Sequence, residues 1–259
     1  MDGNFVEKIK ELADKYSAAQ DIAVELVEGA VKVSCDKGKY CFFYDFDRKF
    51  EYEGFVNVPM FHWQAQRRYI ELRGLLDRKM ITPALAVRIH HIVPHGEFTH
   101  TLKDILVFET DLFEFVTRSK VNRVFADFSG EVYTNCIMSS ESNVKVSMEV
   151  GFSPDGSQPV LLHEVVARTG VASDLPVDTQ MVQYPIYVLK GGETEVYNEI
   201  DFELYGMNNT QADCIRFMIW ALSDINRIKT VCVDYQHVEK VYEATMISSK
   251  SLQYTPVEG

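Results

Sequence analysis

Apolar positions alternate between helical and strand spacing along the chain. Residues 3–19 place Phe5, Ile9, Leu12, Tyr16 and Ala19 on one helical stripe, with Asn4 suited to cap its start. Residues 21–27, 30–35 and 40–46 read as short β-runs, separated by the turn signals Glu28-Gly29 and Asp36-Lys37-Gly38. A strand over 55–60 follows, then a helix over 64–78 that buries Ala65, Tyr69, Leu72 and Leu76. In the next strand, 85–93, Leu85, Val87 and Ile89 face one way, and Arg88 and His90 the other. Helical spacing returns over 101–118 through Leu102, Ile105, Leu106, Leu112, Phe113 and Val116, and leads into a strand carrying Val121, Val124 and Ala126. Strand patterns then cover 127–138, 144–152, 160–169, 180–189 and 194–204, with turn signals at 139–143, 153–156 and 190–192. Two helices close the chain, 208–222 and 234–248, the second capped by Asp234. A run of hairpins uninterrupted by a helix predicts an α+β fold: a large, mostly antiparallel sheet with helices on one face, preceded by a small helix-and-meander module.

Composition narrows the function classes. The 259 residues, 46% of them hydrophobic, suffice for one large domain or two small ones. A net charge of −12 without a sustained Lys/Arg cluster argues against nucleic acid and anionic membranes as partners. Arg67, Arg68, Arg73 and Arg78 alternate with Glu71 and Asp77 and read as a solvated helix face. Five cysteines with no CxxC pair point to reduced thiols and a cytoplasmic protein rather than a zinc or disulfide framework. The first fifteen residues are too polar for a signal peptide. No apolar run approaches the roughly 20 residues that span a bilayer.

Candidate chemistry gathers around residues 90–111. Asp104, Phe108 and Asp111, at i, i+4 and i+7, share one helix face. Spacing alone reads this either as a two-carboxylate site or as a solvated stripe with one aromatic tucked down. His90, His91, His95 and His100 fall within eleven positions. Neighbours on a strand point to opposite faces, so His90 and His91 do not share a metal ion, and no metal site is expected. His163 and Glu164 lie mid-sheet and read as surface or dimer-face residues.

The run Asp104-Ile-Leu-Val-Phe108-Glu-Thr-Asp111-Leu-Phe, followed by Val121-x-x-Val124-x-Ala126, resembles the second half of the Gfo/Idh/MocA oxidoreductases, the glucose–fructose oxidoreductase and inositol dehydrogenase family. Members carry Asp-x-Gly-x-His-x-x-Asp at this helix. Asp104 and Asp111 match the two aspartates, while Leu106 replaces the glycine and Phe108 the histidine that handles the substrate proton in most members. The resemblance runs from Gly54 to about Glu258. It implies that the loop 94–100 borders a substrate pocket. Asp104 is then the remaining acid–base group, Lys103 and Phe108 line the ligand, and His95 or His100 stands in for the lost histidine. Residues 163–174 and 177–188 resemble the sheet through which members pair, which implies a homodimer through apolar strand residues such as Val165, Ile186 and Val188.

Two family features are missing. No GxGxxG occurs to seat a pyrophosphate, and no Glu-Lys-Pro follows. Residues 1–53 are therefore expected to replace the dinucleotide-binding half, and 54–259 to form the substrate-binding and dimerisation domain, with no cofactor. Two functions stay open. One is a degenerate relative that binds a sugar-like ligand or a partner subunit. The other is a sugar or polyol enzyme, either drawing its cofactor domain from a full-length oxidoreductase partner or doing cofactor-free acid–base chemistry.

Overall fold

The computed structural model describes residues 3–94, 101–153, 160–174, 186–190, 193–197 and 209–258. Two compact units divide the chain: Met1–Gln66 with Asp201–Gln236, and Arg67–Ile200 with His237–Gly259.

The first unit opens with helix α1 (Gly3–Lys15), which buries Phe5, Ile9, Leu12 and Ala13. Tyr16, expected on that stripe, is 58% exposed, since the helix ends before it and Ser17 turns the chain at φ 51°. Strands β1 (Ala23–Val27), β2 (Ala30–Cys35) and β3 (Gly38–Phe43) make the expected antiparallel meander. Gly29, at φ 78°, takes the first turn, where a Cβ would meet Asp45 and Phe50 at 2.9 and 3.0 Å. Strand β4 (Val56–Pro59) then pairs parallel with β3. This pairing carries the first unit past the sequence boundary at residue 54. Phe43, Phe46, Phe50, Phe61, Trp63 and Tyr235 interlock beside this sheet at ring-centroid distances of 5.1–6.2 Å.

Several helix expectations need correction. The helix expected over 64–78 is a 3-10 turn, His62–Ala65, followed by α2 (Arg67–Asp77), because Gln66 between them is extended. Its buried residue near the end is Leu75, not Leu76. Helix α4 (Asn209–Ser223) lies close to expectation. The last helix, α5 (Ile225–Ser251), starts nine residues early and places Asp234 in its interior. Asp224 makes the turn instead, accepting from the Asn226 N–H at 3.0 Å. The run Thr230-Val-Cys-Val233 has poor helix propensity, which hid this part of the helix from sequence reading. No described helix is long and apolar enough to cross a membrane.

The second unit is built on nine strands: β5 (Ala84–Pro94), β6 (Val121–Ser129), β7 (Tyr133–Ser140), β8 (Lys145–Ser153), β9 (Val160–Ala167), β10 (Gly170–Ser173), β11 (Ile186–Lys190), β12 (Glu193–Tyr197) and β13 (Thr255–Pro256). Their order is β12-β11-β10-β9-β5-β8-β7-β6-β13. Every neighbouring pair is antiparallel except β5 and β8. The exception follows from connectivity: helix α3 (Leu102–Thr117) carries the chain from β5 to β6, and two hairpins bring β8 back alongside β5 in the same direction. The α+β class with a mostly antiparallel sheet thus holds, and the sheet is mixed.

Alternation decides which side chains meet the helices. Val87, Ile89, Val124, Ala126, Met138, Val146, Met148 and Val165 are buried, and α3 packs on β5 and β8 beside α2. Leu85, expected with Val87, is 50% exposed, because a register irregularity between Ala84 and Ala86 shifts its side chain out of the alternation. The strand expected over 127–138 is a hairpin that turns at Gly130, φ 65°. The strand expected over 160–169 ends at Ala167 and returns at once as β10. Residues 180–185 and 198–204 of two expected strands lie outside the described residues. The face away from α3 carries cross-strand ion pairs, Arg88–Glu164 at 2.5 Å and His90–Glu149 at 3.8 Å. Val165, expected to face a partner, is fully buried opposite Val87, so its parity assigns it to the core. The side chains of Ile186 and Val188 lie outside the described ones.

Candidate functional site

Helix α3 begins with a capping box. Thr101 is the N-cap, and its side chain accepts from the Asp104 N–H at 3.3 Å. Asp104 answers with Oδ2, which accepts from the Thr101 N–H at 2.8 Å and its hydroxyl at 3.1 Å. The residue expected to act as acid–base group is therefore buried and engaged in starting its helix. Lys103 points its ammonium at the Tyr242 ring, 5.5 Å from the centroid. His95 and His100 lie outside the described residues. Arg118, left-handed at φ 53°, ends the helix.

Phe108 leads to a different set of groups. Its ring makes edge contacts with His91 at 5.4 Å, Tyr69 at 6.3 Å and His163 at 6.4 Å. Beside it, Glu109 is fully buried and joins two of these histidines. Its Oε1 lies 2.6 Å from His91 Nδ1, and its Oε2 lies 3.0 Å from His163 Nε2. His163 continues the chain: Nδ1 lies 2.6 Å from Asp174 Oδ2, while its backbone N–H donates to Asp174 Oδ1 at 2.5 Å. Arg68 approaches Asp174 at 3.9 Å with a side chain only 10% exposed, so it is not part of the solvated face read from sequence. The Tyr69 hydroxyl is 3.4 Å from His163 Nδ1.

Proton positions follow from chemistry. Both ring nitrogens of His163 face carboxylate oxygens, which accept only, so both carry protons and the ring is an imidazolium. Burial alone would lower the His163 pKa; the charges of Glu109 and Asp174 and their hydrogen bonds override it and raise it to about 9. Burial alone would raise Glu109; the charge of His163 and the hydrogen bonds from both histidines hold it at about 2. An ionised Glu109 makes Nδ1 of His91 a donor as well. Glu109, His163, Asp174 and Arg68 thus form a row of alternating charge inside the second unit, with His91 at one end. Among the described residues, no group of three His, Cys, Asp or Glu side chains is placed to hold a metal ion.

Signals for this row were present in the sequence. Glu109 is four residues from both Ile105 and Phe113, hence on the buried face of α3. His91 shares strand parity with Val87 and Ile89, and His163 with Val165. Position on a face, more than residue type, marked them. A second group closes the other end of α3. Buried Glu114 accepts from the Val121 N–H at 2.8 Å and from Lys120 at 2.8 Å, and lies 3.0 Å from His237 Nε2. In the first unit, a largely apolar groove of about 420 Å³ runs beside Leu12, Ile215, Ile219 and Trp220.

Comparison with known proteins places the fold. No family model matches the sequence, and no curated protein sequence matches it. Solved structures do match. An oxidoreductase domain protein from Kribbella flavida superposes at a TM-score of 0.63 with 12% identity, covering 79% of this chain and 67% of that one. The transcriptional regulator Gal80p from Kluyveromyces lactis matches at a TM-score of 0.63 and 11% identity, covering 82% and 64%. Scyllo-inositol dehydrogenase from Lactobacillus casei, solved with NAD(H) and scyllo-inositol, matches at 0.55 and 13%, covering 78% and 64%. The chain spans about two thirds of the length of these proteins. Its fold is that of oxidoreductase domain proteins.

Proposed function

We propose that this chain is a Gfo/Idh/MocA-like protein that binds a sugar-like ligand or a partner subunit, and that its 259 residues hold no dinucleotide site of their own. One observation carries the reading. The strands β1, β2 and β3 follow one another through two tight hairpins, Val27↔Ala30 and Cys35↔Gly38. A dinucleotide site of this class needs a strand, a glycine-rich turn and a helix whose first N–H groups receive the pyrophosphate. Hairpins supply no such helix end. Phe108, where the family has its proton-handling histidine, adds support, since a phenyl ring exchanges no proton. That the fold also serves a protein described as a transcriptional regulator fits a role without hydride transfer.

The test is direct titration. NADH added to the purified chain is expected to give no saturable change in fluorescence or heat up to about 100 μM, the upper part of the range in which enzymes commonly hold substrates. Saturable binding at low micromolar concentration overturns the reading. Scyllo-inositol and other polyols, titrated by calorimetry, test the ligand half of it.

A homodimer through the sheet belongs to the same proposal. The exposed side chains Ile137 and Val160, together with the Arg88–Glu164 pair, leave a mixed surface suited to pairing in solution. Light scattering at tens of micromolar should give twice the 29.7 kDa chain mass. A monomer mass at that concentration counts against the dimer.

A further inference from the structure

His91 stands apart from the rest of the buried row. Its side chain is 13% exposed, whereas those of Glu109 and His163 are 0% and 2% exposed. Nδ1 is committed to Glu109 at 2.6 Å. Nε2 has no hydrogen-bond partner among the described residues. In a neutral ring whose proton sits on Nδ1, Nε2 holds the lone pair. The carboxylate behind it is ionised and is itself fixed by His163, so the ring cannot turn without breaking its own contact with Glu109. A histidine held by a carboxylate at one nitrogen, with the other unpartnered among the described residues, is the arrangement that general-base chemistry requires. The ring also lies edge-on to Phe108, the residue standing where the family keeps its own histidine.

We propose that His91 and Glu109 form an acid–base dyad for a hydroxylated ligand, with Nε2 of His91 accepting the ligand's hydroxyl hydrogen bond and, when it transfers, its proton. The proton leaves the ligand oxygen for Nε2, the electron pair stays on that oxygen, and the new imidazolium is stabilised by Glu109. Glu109 is the positioning residue. The groups around the ring are Glu109 and Phe108 from α3, with Leu161 on β9 and Val150 on β8 as strand partners; His163 lies beyond the Glu109 carboxylate. The proton-handling function is thus moved from α3 to β5. The inference rests on the sugar-like ligand reading, but its first two tests need no ligand.

In protein labelled with 15N-histidine, long-range proton–nitrogen correlation should show neutral His91 protonated at Nδ1 and bare at Nε2. A ring protonated at Nε2 overturns the dyad. Glu109→Gln should lose the single tautomer, a change that a purely packing role for Glu109 would not produce. Diethyl pyrocarbonate acylates a bare, reachable imidazole nitrogen. It should mark His91 in the native protein, read by mass spectrometry, and leave His163 unmarked. His91 as unreactive as His163 overturns the proposal. Scyllo-inositol at ten times its Kd should then slow acylation of His91 about tenfold and leave the solvent-facing His90 unchanged. Binding seen by calorimetry without that protection overturns the dyad and leaves the ligand reading standing. If no polyol binds, the ligand reading fails, and the tautomer and acylation results still decide for or against the dyad.

Discussion

His163→Leu will lower the stability of the chain by about 3–5 kcal/mol at pH 7, the usual cost of removing one partner from a buried ion pair. The imidazolium stands between Glu109 at 3.0 Å and Asp174 at 2.6 Å. Leucine matches its volume approximately, so packing changes little, and the loss reports electrostatics. Two buried carboxylates are left on one side chain's former contacts, with Arg68 at 3.9 Å from Asp174 as the remaining cation described there. The variant will also change shape against pH. His163 has its pKa raised from 6.5 to about 9 on folding, so its contribution is fully present below pH 6.5 and is lost as pH rises through 9. Glu109 is lowered from 4.5 to about 2, so its contribution is present above pH 4.5 and is lost as pH falls through 2. The native pair is therefore worth most between about pH 4.5 and 6.5, and weakens toward 9. In the leucine variant the alkaline decline should vanish. The gap to the native chain should narrow in acid, where Glu109 takes up a proton and ceases to be an unpaired charge. Urea midpoints measured from pH 3 to 10 test both claims. A uniform loss at every pH would mean that the row is not ionised as described.

Glu114→Leu should cost about 2–3 kcal/mol, because a buried backbone donor loses its acceptor and the Lys120 ammonium loses its counter-charge. Glu114 receives the Val121 N–H, the Lys120 ammonium and the His237 ring at 2.8, 2.8 and 3.0 Å. These contacts tie the end of α3 to the start of β6 and to α5. Glu114→Gln retains an oxygen for the Val121 N–H and should lose markedly less. Hydrogen exchange at Val121 distinguishes local from global loss: in Glu114→Leu this amide should exchange faster than those of β7. A leucine variant within about 0.5 kcal/mol of the native chain, the range of ordinary surface substitutions, would show that the clasp does not contribute.

The legible parts of this fold are the ones governed by local period. The meander β1–β2–β3 was readable because its turns carry Gly29 and Gly38, both at positive φ. Helix α3 was readable because Leu102, Ile105, Leu106, Leu112, Phe113 and Val116 all fall on buried positions. Local conflicts misled the reading elsewhere. The β-branched start of α5 was overridden by its packing partners, as Ile228 and Val231 are buried there. The irregularity beside Ala84 changed the face of Leu85. At the site, the face of Phe108 was legible, but its neighbours were not. Asp104, expected at the site, also caps its own helix.

The sequence by itself determined the alternation along α3 and β5, which sets Glu109 and His91 among buried neighbours; His163, read as a surface or dimer-face residue, is instead 2% exposed because it shares strand parity with Val165. The sequence also determined that β1, β2 and β3 are joined by hairpins, with no glycine-rich turn to a helix between them. Only the tertiary structure decided that these faces coincide. His91 and Glu109 are 18 residues apart, and Glu109 and His163 are 54 apart. They meet because β5 runs between β8 and β9 while α3 lies on their common face. Strand order is set by which hairpins close and how the crossover returns, and these are long-range pairings that no local period encodes. A buried carboxylate between two histidines is stable only once that pairing brings an opposite charge within about 3 Å. The same glutamate read along the chain is one charged residue among apolar neighbours.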